Sequence, residues 1–177
     1  NDRLLKDSVA GHSIYRVSGS GAGSIGNPNR TAVHLRLPLA GTEEQVYLYG
    51  NYFDATTTLQ AILGTGTKPL VTVNEIYKGT TNLLGTVGAS DYVSSVVGSA
   101  IQFRFDCSGE PGGTLKGTVY VDGVQKGVFT GTGTNGSTGL GAVGFGSVGT
   151  ALNISRVLYS VAPFGTTLDE TFSTILK

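Results

Sequence analysis

Short stretches in which apolar and polar residues alternate one by one constrain the fold of this chain more than any other feature. In the clearest stretch, every second residue is apolar and the residues between are polar or charged; the apolar row is Ile101, Phe103, Phe105 and Cys107. Successive side chains of an extended strand point to opposite faces, so this pattern predicts strands with one buried and one outer face. The chain contains roughly ten to twelve such stretches separated by turn signals.

One turn signal is especially specific. Asp122-Gly123 separates two β-rich runs, and both central positions of a two-residue hairpin turn favour residues that tolerate positive φ. We therefore predict a hairpin over Thr118–Phe129, with Leu115, Val119 and Val121 on its inward row.

Glycine makes up 28 of the 177 residues, which argues against long helices because an interior glycine destabilises a helix relative to alanine. A single helix is predicted near the C-terminus. Thr167–Glu170 has the spacing of a capping box, and it opens the predicted helical segment Leu168–Leu176. Leu168, Phe172 and Ile175 would share one face of this helix.

These patterns predict an all-β fold, an antiparallel β-sandwich of the jelly-roll type, with a short C-terminal helix. The predicted organisation has three parts. Residues 1–26 form an N-terminal arm or first strand followed by a flexible Gly/Ser segment, residues 27–166 form the sandwich, and residues 167–177 form a helical tail.

The composition excludes several functions. Twelve basic and twelve acidic residues cancel, so we expect neither nucleic acid nor an anionic membrane as a partner. No apolar run approaches the length of a membrane helix, roughly 18 residues. With one cysteine and two histidines, an internal disulfide is excluded and a multi-histidine metal site is disfavoured. We expect no cofactor, although Asp54, Asp91 and Asp122 lie in or beside turns, where calcium ligands occur.

The sequence also offers little catalytic equipment. Cys107 continues the inward row of Phe103 and Phe105, so it is predicted to be a buried structural thiol. The cluster that most resembles a ligand-binding face comprises His34, Arg36, Tyr47 and Tyr49. We expect the two strands that carry these residues to be neighbours. An ordinary polar outer face with cross-strand pairs is the alternative interpretation. We predict that the chain is not an enzyme.

Three segments together suggest a family. They are the strand Ile101–Asp106, the hairpin Val119–Gly127, and the strand Ile154–Val161 that follows the glycine-rich Val143–Ser147. Their order resembles the second half of concanavalin A-like, or laminin G-like, jelly-roll domains. Such domains occur in bacteriophage virion proteins, in lectins, and in glycanases and polysaccharide lyases. The Glu-x-Asp-x-Glu triplet of the glycanases in this family is absent here.

The resemblance and the composition lead us to expect a structural subunit of a larger assembly, in the virion, as a capsid decoration or tail component. Its partners would be copies of itself or other virion proteins. Apolar residues near the two ends are the predicted assembly contacts: Leu4, Leu5, Val9, Phe172 and Ile175. One alternative is a lectin-like module with a glycan as its partner. Another is a cell-surface filament subunit that adds a strand to its neighbour, placed outside the cell.

Overall fold

The computed structural model describes residues 4–9, 12–17, 29–36, 45–64, 70–88, 100–110, 113–132, 142–148, 153–161 and 166–171. Within these ranges the chain forms thirteen strands joined by turns. The first seven strands are β1 (Leu4–Val9), β2 (His12–Val17), β3 (Asn29–Arg36), β4 (Gln45–Asp54), β5 (Thr57–Gly64), β6 (Leu70–Tyr77) and β7 (Thr80–Val87). The remaining six are β8 (Ala100–Gly109), β9 (Leu115–Val121), β10 (Val124–Thr130), β11 (Ala142–Val148), β12 (Asn153–Val161) and β13 (Thr166–Thr171). In this part of the chain, no helix is long and apolar enough to cross a membrane.

The strands form two sheets in which every pair of neighbours is antiparallel. The seven-stranded sheet has the order β1-β2-β11-β4-β5-β6-β7, and the six-stranded sheet has the order β10-β9-β8-β3-β12-β13. Consecutive hairpins build β4 to β7, whereas β3, β11 and β12 pair with strands far away in sequence. The predicted all-β, antiparallel β-sandwich is confirmed.

The core lies between the two sheets and is built from the apolar rows of the alternating strands. From β8, the residues at positions 101, 103, 105 and 107 are all buried in it, as the alternation predicts. Burial of these side chains is the main stabilising contribution to a sandwich of this size. The opposing rows include Val46, Leu48, Leu59, Ala61, Leu63, Val71 and Val73 from the seven-stranded sheet.

Two hairpins have two-residue turns with positive φ at both central positions. Asp122 and Gly123 have φ angles of 48° and 80°, so the hairpin predicted between β9 and β10 is confirmed. Lys78 and Gly79 adopt the same geometry, with φ angles of 51° and 80°, between β6 and β7. The Lys-Gly pair is a weaker sequence signal than Asp-Gly, because lysine tolerates positive φ less readily than aspartate does.

The two sheets approach each other closely where Gly50 on β4 faces β8. A β-carbon at this position would overlap the Cβ atom of Cys107 and the ring of Phe105. Nearby, the hydroxyl of Thr31 on β3 donates a hydrogen bond of 3.1 Å to the carbonyl oxygen of Tyr49 on β4. This bond links the two sheets directly, so β3 and β4 are fixed relative to each other.

The helix predicted from Leu168 is wrong over the described residues. Thr166–Thr171 is a strand, paired with β12 from Thr166↔Val161 to Thr171↔Arg156. A helix of about ten residues is marginal alone in water, whereas the free edge of β12 supplies a partner for every second backbone group. Phe172 and Ile175 lie outside the described residues.

The N-terminal segment contributes β1 and β2 to the seven-stranded sheet. β2 pairs with β11 from Arg16↔Gly144 to Ser13↔Ser147, and β1 forms the outer edge. Part of the predicted arm is therefore an extension of the sheet. The division of the chain at residues 26 and 166 stays a prediction.

Candidate functional site

Three tyrosines on β4 form a cluster on the outer face of the seven-stranded sheet, opposite the core. Tyr47 and Tyr49 alternate with the core residues Val46 and Leu48, and Tyr52 joins them after an irregularity in the strand. The rings of Tyr47 and Tyr49 are nearly parallel, with centroids 6.2 Å apart and an interplanar angle of 12°. Tyr52 meets Tyr49 edge-on at 5.3 Å. We call these three residues the tyrosine cluster.

The members of the tyrosine cluster differ in exposure. Tyr49 is 1% exposed and Tyr52 is 5% exposed, whereas Tyr47 is only partly buried. The hydroxyl of Tyr47 donates a hydrogen bond of 2.6 Å to Oε1 of Gln45, which fixes the end of its ring. The two buried rings therefore support a third ring that reaches the surface.

Glycines on β11 lie beside the tyrosine cluster. Gly144 is the register partner of Tyr49, and Gly146 is the register partner of Tyr47. Because glycine has no side chain, β11 places nothing on the outer face beside the two rings. On the other side, β5 places Gln60 opposite Tyr49 and Ile62 opposite Tyr47. The two glycines of β11 thus leave space for the rings of Tyr47 and Tyr49.

Burial keeps the tyrosine cluster neutral. Loss of solvation raises the pKa of Tyr49 far above its ordinary value, and the neighbouring tyrosines Tyr47 and Tyr52 add to that shift. Loss of solvation also raises the pKa of Tyr47. Neutral phenols offer apolar ring faces and hydroxyl donors rather than a base. This face is therefore suited to recognition rather than to proton abstraction.

The outer face of the six-stranded sheet is charged instead. Arg30 on β3 binds the carboxylate of Asp106 on β8 with two hydrogen bonds, Nε to Oδ1 at 3.0 Å and Nη2 to Oδ2 at 3.1 Å. Hydrogen bonding to Asp106, opposed by loss of solvation, raises the pKa of Arg30. Asp106 is 5% exposed, and Nε of Arg104 lies 3.3 Å from its Oδ1 atom. Two guanidinium groups therefore share one carboxylate; we call Arg30, Arg104 and Asp106 the arginine–aspartate triad.

Aromatic and amide groups surround the arginine–aspartate triad. The guanidinium carbon of Arg104 lies 3.6 Å from the ring centroid of Tyr120 on β9. Farther along β8, Nε2 of Gln102 lies 3.1 Å from Nε2 of His34 on β3. The ion pair, the stacked ring and the amide–imidazole pair are thus on the same face.

The ligand face predicted from sequence is divided between the two sheets. His34 and Arg36 belong to β3 in the six-stranded sheet, whereas Tyr47 and Tyr49 belong to β4 in the seven-stranded sheet. The four residues therefore do not form one face, and the prediction that their strands are neighbours in a sheet is wrong. Alternation assigns a residue to a face, but sheet membership depends on pairings between distant strands. Arg36 lies at the end of β3, opposite Ala100 and Asn153.

The turn carboxylates proposed as calcium ligands have local partners. Oδ1 of Asp54 accepts hydrogen bonds from the backbone N–H and the hydroxyl of Thr56, both at 2.7 Å. Oδ1 of Asp122 accepts a bond of 2.8 Å from the N–H of Gln102. Asp91 lies outside the described residues. Among the described residues, no group of three metal-ligating side chains is present.

Two reactive groups are buried and structural. Cys107 is fully buried, as predicted, and burial raises the pKa of its thiol to about 12. Thiolate, the reactive form of cysteine, is therefore disfavoured.

Glu75 is also fully buried, and its Oε2 atom accepts hydrogen bonds from the N–H and hydroxyl of Thr132, at 2.8 and 2.9 Å. Glu75 thereby ties the end of β10 to the seven-stranded sheet.

No protein-family model matches the chain, and no curated protein sequence is similar to it. Several solved structures are similar to it in fold. The carbohydrate-binding module CBM66 from Bacillus subtilis matches 87% of this chain and 90% of its own, with a TM-score of 0.52 and 13% identity. Sheep galectin-11 matches 95% of this chain and 98% of its own, with a TM-score of 0.52 and 12% identity.

Tailspike protein 2 of a bacteriophage of Escherichia coli O157:H7 is also similar. It matches 89% of this chain but only 22% of the tailspike, with a TM-score of 0.53 and 14% identity. At such low identity these likenesses concern architecture alone. They show that the chain has the jelly-roll β-sandwich fold found in lectins, carbohydrate-binding modules and a phage tailspike.

Proposed function

We propose that this chain is a non-catalytic recognition module that binds a saccharide on the outer face of its seven-stranded sheet. The observation that carries the proposal is the tyrosine cluster, in which the partly exposed ring of Tyr47 is held parallel to the buried ring of Tyr49. The aliphatic face of a sugar ring packs on such an aromatic surface.

The cluster is well suited to this role because Tyr47 is already ordered. Its ring is supported by Tyr49, and its hydroxyl is held by Gln45. Binding to a surface that is fixed in advance costs less conformational entropy. Asn74 on β6, the register partner of the buried Gln60, supplies a partly exposed amide near the cluster for hydrogen bonds to hydroxyls.

The comparisons support a saccharide as the ligand. The carbohydrate-binding module and the galectin share the fold over nearly the whole of this chain. The carbohydrate recognition domain of Emp46p shares the fold over 82% of this chain, with a TM-score of 0.53 at 10% identity.

A glycan array followed by calorimetric titration of the best ligand tests the proposal. We expect Tyr47→Ala to weaken binding by about tenfold or more, because it removes the accessible ring of the cluster. Tyr77→Ala is the matched control, since Tyr77 is half-buried, lies on β6 beyond the cluster, and packs against Lys78. Equal affinities of the two variants, or no glycan bound by the wild-type chain, would contradict the proposal.

The tailspike likeness favours a second candidate, a structural domain of a phage tail. A fold that covers only 22% of a tailspike shows that this architecture can serve as one domain of a larger virion protein. In that case the chain acts in the virion, with copies of itself or other virion proteins as partners. The edge strand β1, which carries Leu4, Leu5 and Val9, would then be an assembly surface.

Light scattering of the intact chain and of a chain lacking residues 1–10 tests this candidate. Removing β1 leaves β2 as the new edge, so the sandwich should stay folded. We expect a defined oligomer for the intact chain and a monomer for the shortened chain. An intact chain that is monomeric, or an oligomer that survives the deletion, would count against an assembly role for β1.

A further inference from the structure

The arginine–aspartate triad on the outer face of the six-stranded sheet has an excess of positive charge. Arg30 occupies both oxygen atoms of Asp106 with its own two hydrogen bonds. The second cation, Arg104, is left with one close approach, of Nε to Oδ1 at 3.3 Å. One carboxylate that already receives a bidentate arginine cannot offer the same geometry to another.

The guanidinium of Arg104 has hydrogen-bonding capacity that the described part of the chain does not use. Its Nε atom is buried and makes no hydrogen bond, and no described residue accepts one from its terminal nitrogens. An unsatisfied buried donor is costly, and a charged one more so. The Arg104 side chain is nevertheless 19% exposed, so the group can be reached from solvent.

Tyr120 holds Arg104 in a fixed orientation. Its ring lies under the guanidinium at 3.6 Å from the guanidinium carbon, and the two residues are register partners on β8 and β9. A cation–π contact of this length restrains the guanidinium over the ring and does not use the hydrogen bonds of its terminal nitrogens. A planar fork of this kind matches a carboxylate, which accepts two parallel hydrogen bonds.

Groups that bind hydroxyls lie close by. Gln102 is two residues from Arg104 on the same face of β8, and its amide is paired with the imidazole of His34. Thr118 lies opposite Asp106 on β9. Besides Asp106, two acidic side chains are described on this sheet, and both have partners: Glu110 is paired with Lys116 at 2.9 Å, and Asp122 accepts a hydrogen bond of 2.8 Å from the N–H of Gln102. Arg104 therefore keeps an unbalanced positive charge among polar neighbours.

We propose that the outer face of the six-stranded sheet binds a carboxylate-bearing sugar, with Arg104 gripping the carboxylate and Gln102 contacting neighbouring hydroxyls. This site is on the opposite side of the sandwich from the tyrosine cluster. The inference rests on the proposed function only in taking the ligand to be a saccharide. Its chemical class is a uronic acid or a sugar with an equivalent carboxylate.

Calorimetric titration with an oligogalacturonate and with its fully methyl-esterified form tests the site. The ester has the same ring skeleton without the charge. We expect the acid form to bind and the ester to bind about tenfold or more weakly, because hydrogen bonds to a charged group are lost. Arg104→Ala should abolish binding of the acid form. Lys116→Ala, which removes a cation from the same sheet away from the site, should leave it unchanged.

Arg104→Lys is a control for misfolding, because lysine keeps the positive charge and the aliphatic chain but lacks the planar guanidinium that binds a carboxylate with two hydrogen bonds. Reduced affinity in this variant with an unchanged melting temperature would support the site. Equal binding of acid and ester, no binding of the acid, or full binding by Arg104→Ala would overturn it. Competition by an oligoglutamate peptide at equal affinity would overturn the assignment to a sugar.

The two proposals fail separately. If neutral glycans bind in a manner that depends on Tyr47, while Arg104 variants bind the acid form as well as the wild type does, then the recognition function stands and the second site does not exist.

Discussion

The two outer faces of the sandwich contrast sharply, although both arise from the same alternation of residues. On the seven-stranded sheet, the centre of the face is a neutral cluster of three tyrosines, two of them almost fully buried. On the six-stranded sheet, the centre is an ion pair with a second arginine beside it. One face is therefore stabilised by packing and the other by charge-assisted hydrogen bonds.

This difference shows how an outer face of a sheet can become specialised. Aromatic rings that cover one another lose contact with water, which favours their neutral form, as the raised pKa of Tyr49 reflects. Charged groups near the surface keep part of their solvation; the side chain of Arg30 is 45% exposed. The tyrosine face is suited to neutral ring-shaped ligands, and the arginine face to anionic ligands.

The largest effect is expected from removing the buried ring of Tyr49 at the centre of the tyrosine cluster. Tyr49→Ala should lower the free energy of unfolding by about 3 kcal/mol, as large-to-small substitution of a buried aromatic does. Urea unfolding followed by circular dichroism measures the change. Tyr49→Phe keeps the ring and should cost much less. Equal losses in the two variants would mean that the hydroxyl, and not ring packing, stabilises this face.

A smaller effect is expected at the centre of the charged face. Asp106→Asn should lower the free energy of unfolding by about 2 kcal/mol, because two arginines lose their carboxylate partner. Glu110→Gln breaks the more exposed pair with Lys116 and should cost less than about 1 kcal/mol. Thermal or urea unfolding distinguishes the two variants. If Asp106→Asn is as mild as Glu110→Gln, the triad does not stabilise its face.

The smallest effect is a loss of stability at alkaline pH, which is absent at neutral pH. It tests whether Tyr49 is kept neutral by burial. Burial raises the pKa of Tyr49 above its ordinary value of 10.0, so the folded chain holds a proton that the unfolded chain releases. The contribution of the protonated Tyr49 phenol to the free energy of unfolding is thus fully present below pH 10 and is lost as the pH rises further. The buried thiol of Cys107 acts in the same direction from its ordinary value of 9.0.

Unfolding free energies measured across the alkaline range test this expectation. Tyr49→Phe should lose stability less steeply than the wild-type chain, because it lacks the ionisable group, while the contribution of Cys107 is common to both. Parallel curves would show that Tyr49 is not desolvated in the folded chain.

Much of the fold could be predicted from the sequence because its signals are local. Alternation assigned Phe103, Phe105 and Cys107 to the core, and Asp122-Gly123 fixed a hairpin. Local signals also misled, since the capping box before Leu168 is outweighed by pairing with the edge of β12. The conformation of a short segment is decided by the strand or surface that it pairs with, and the sequence of the segment alone does not indicate that partner.

The candidate sites were harder to predict because they depend on residues that are distant in sequence. Arg30 and Asp106 are separated by 76 positions, and nothing in the neighbourhood of either residue indicates the other. Tyr47 and Tyr49 were identified correctly as outer-face residues, but they were grouped with His34 of the opposite sheet. The alternation of β3 and β4 gives no information about which sheet each strand joins.

The close approach of Gly50 to Cys107 has an evolutionary consequence. A homologous chain that keeps this spacing between layers cannot carry a side chain at position 50 without pushing the layers apart, because a β-carbon there overlaps the Cβ atom of Cys107 and the ring of Phe105. Every residue except glycine has a β-carbon, so glycine at position 50 should be inherited whatever non-glycine residue stands at position 107. This glycine is a signature by which remote homologues could be recognised when overall identity is too low to align them.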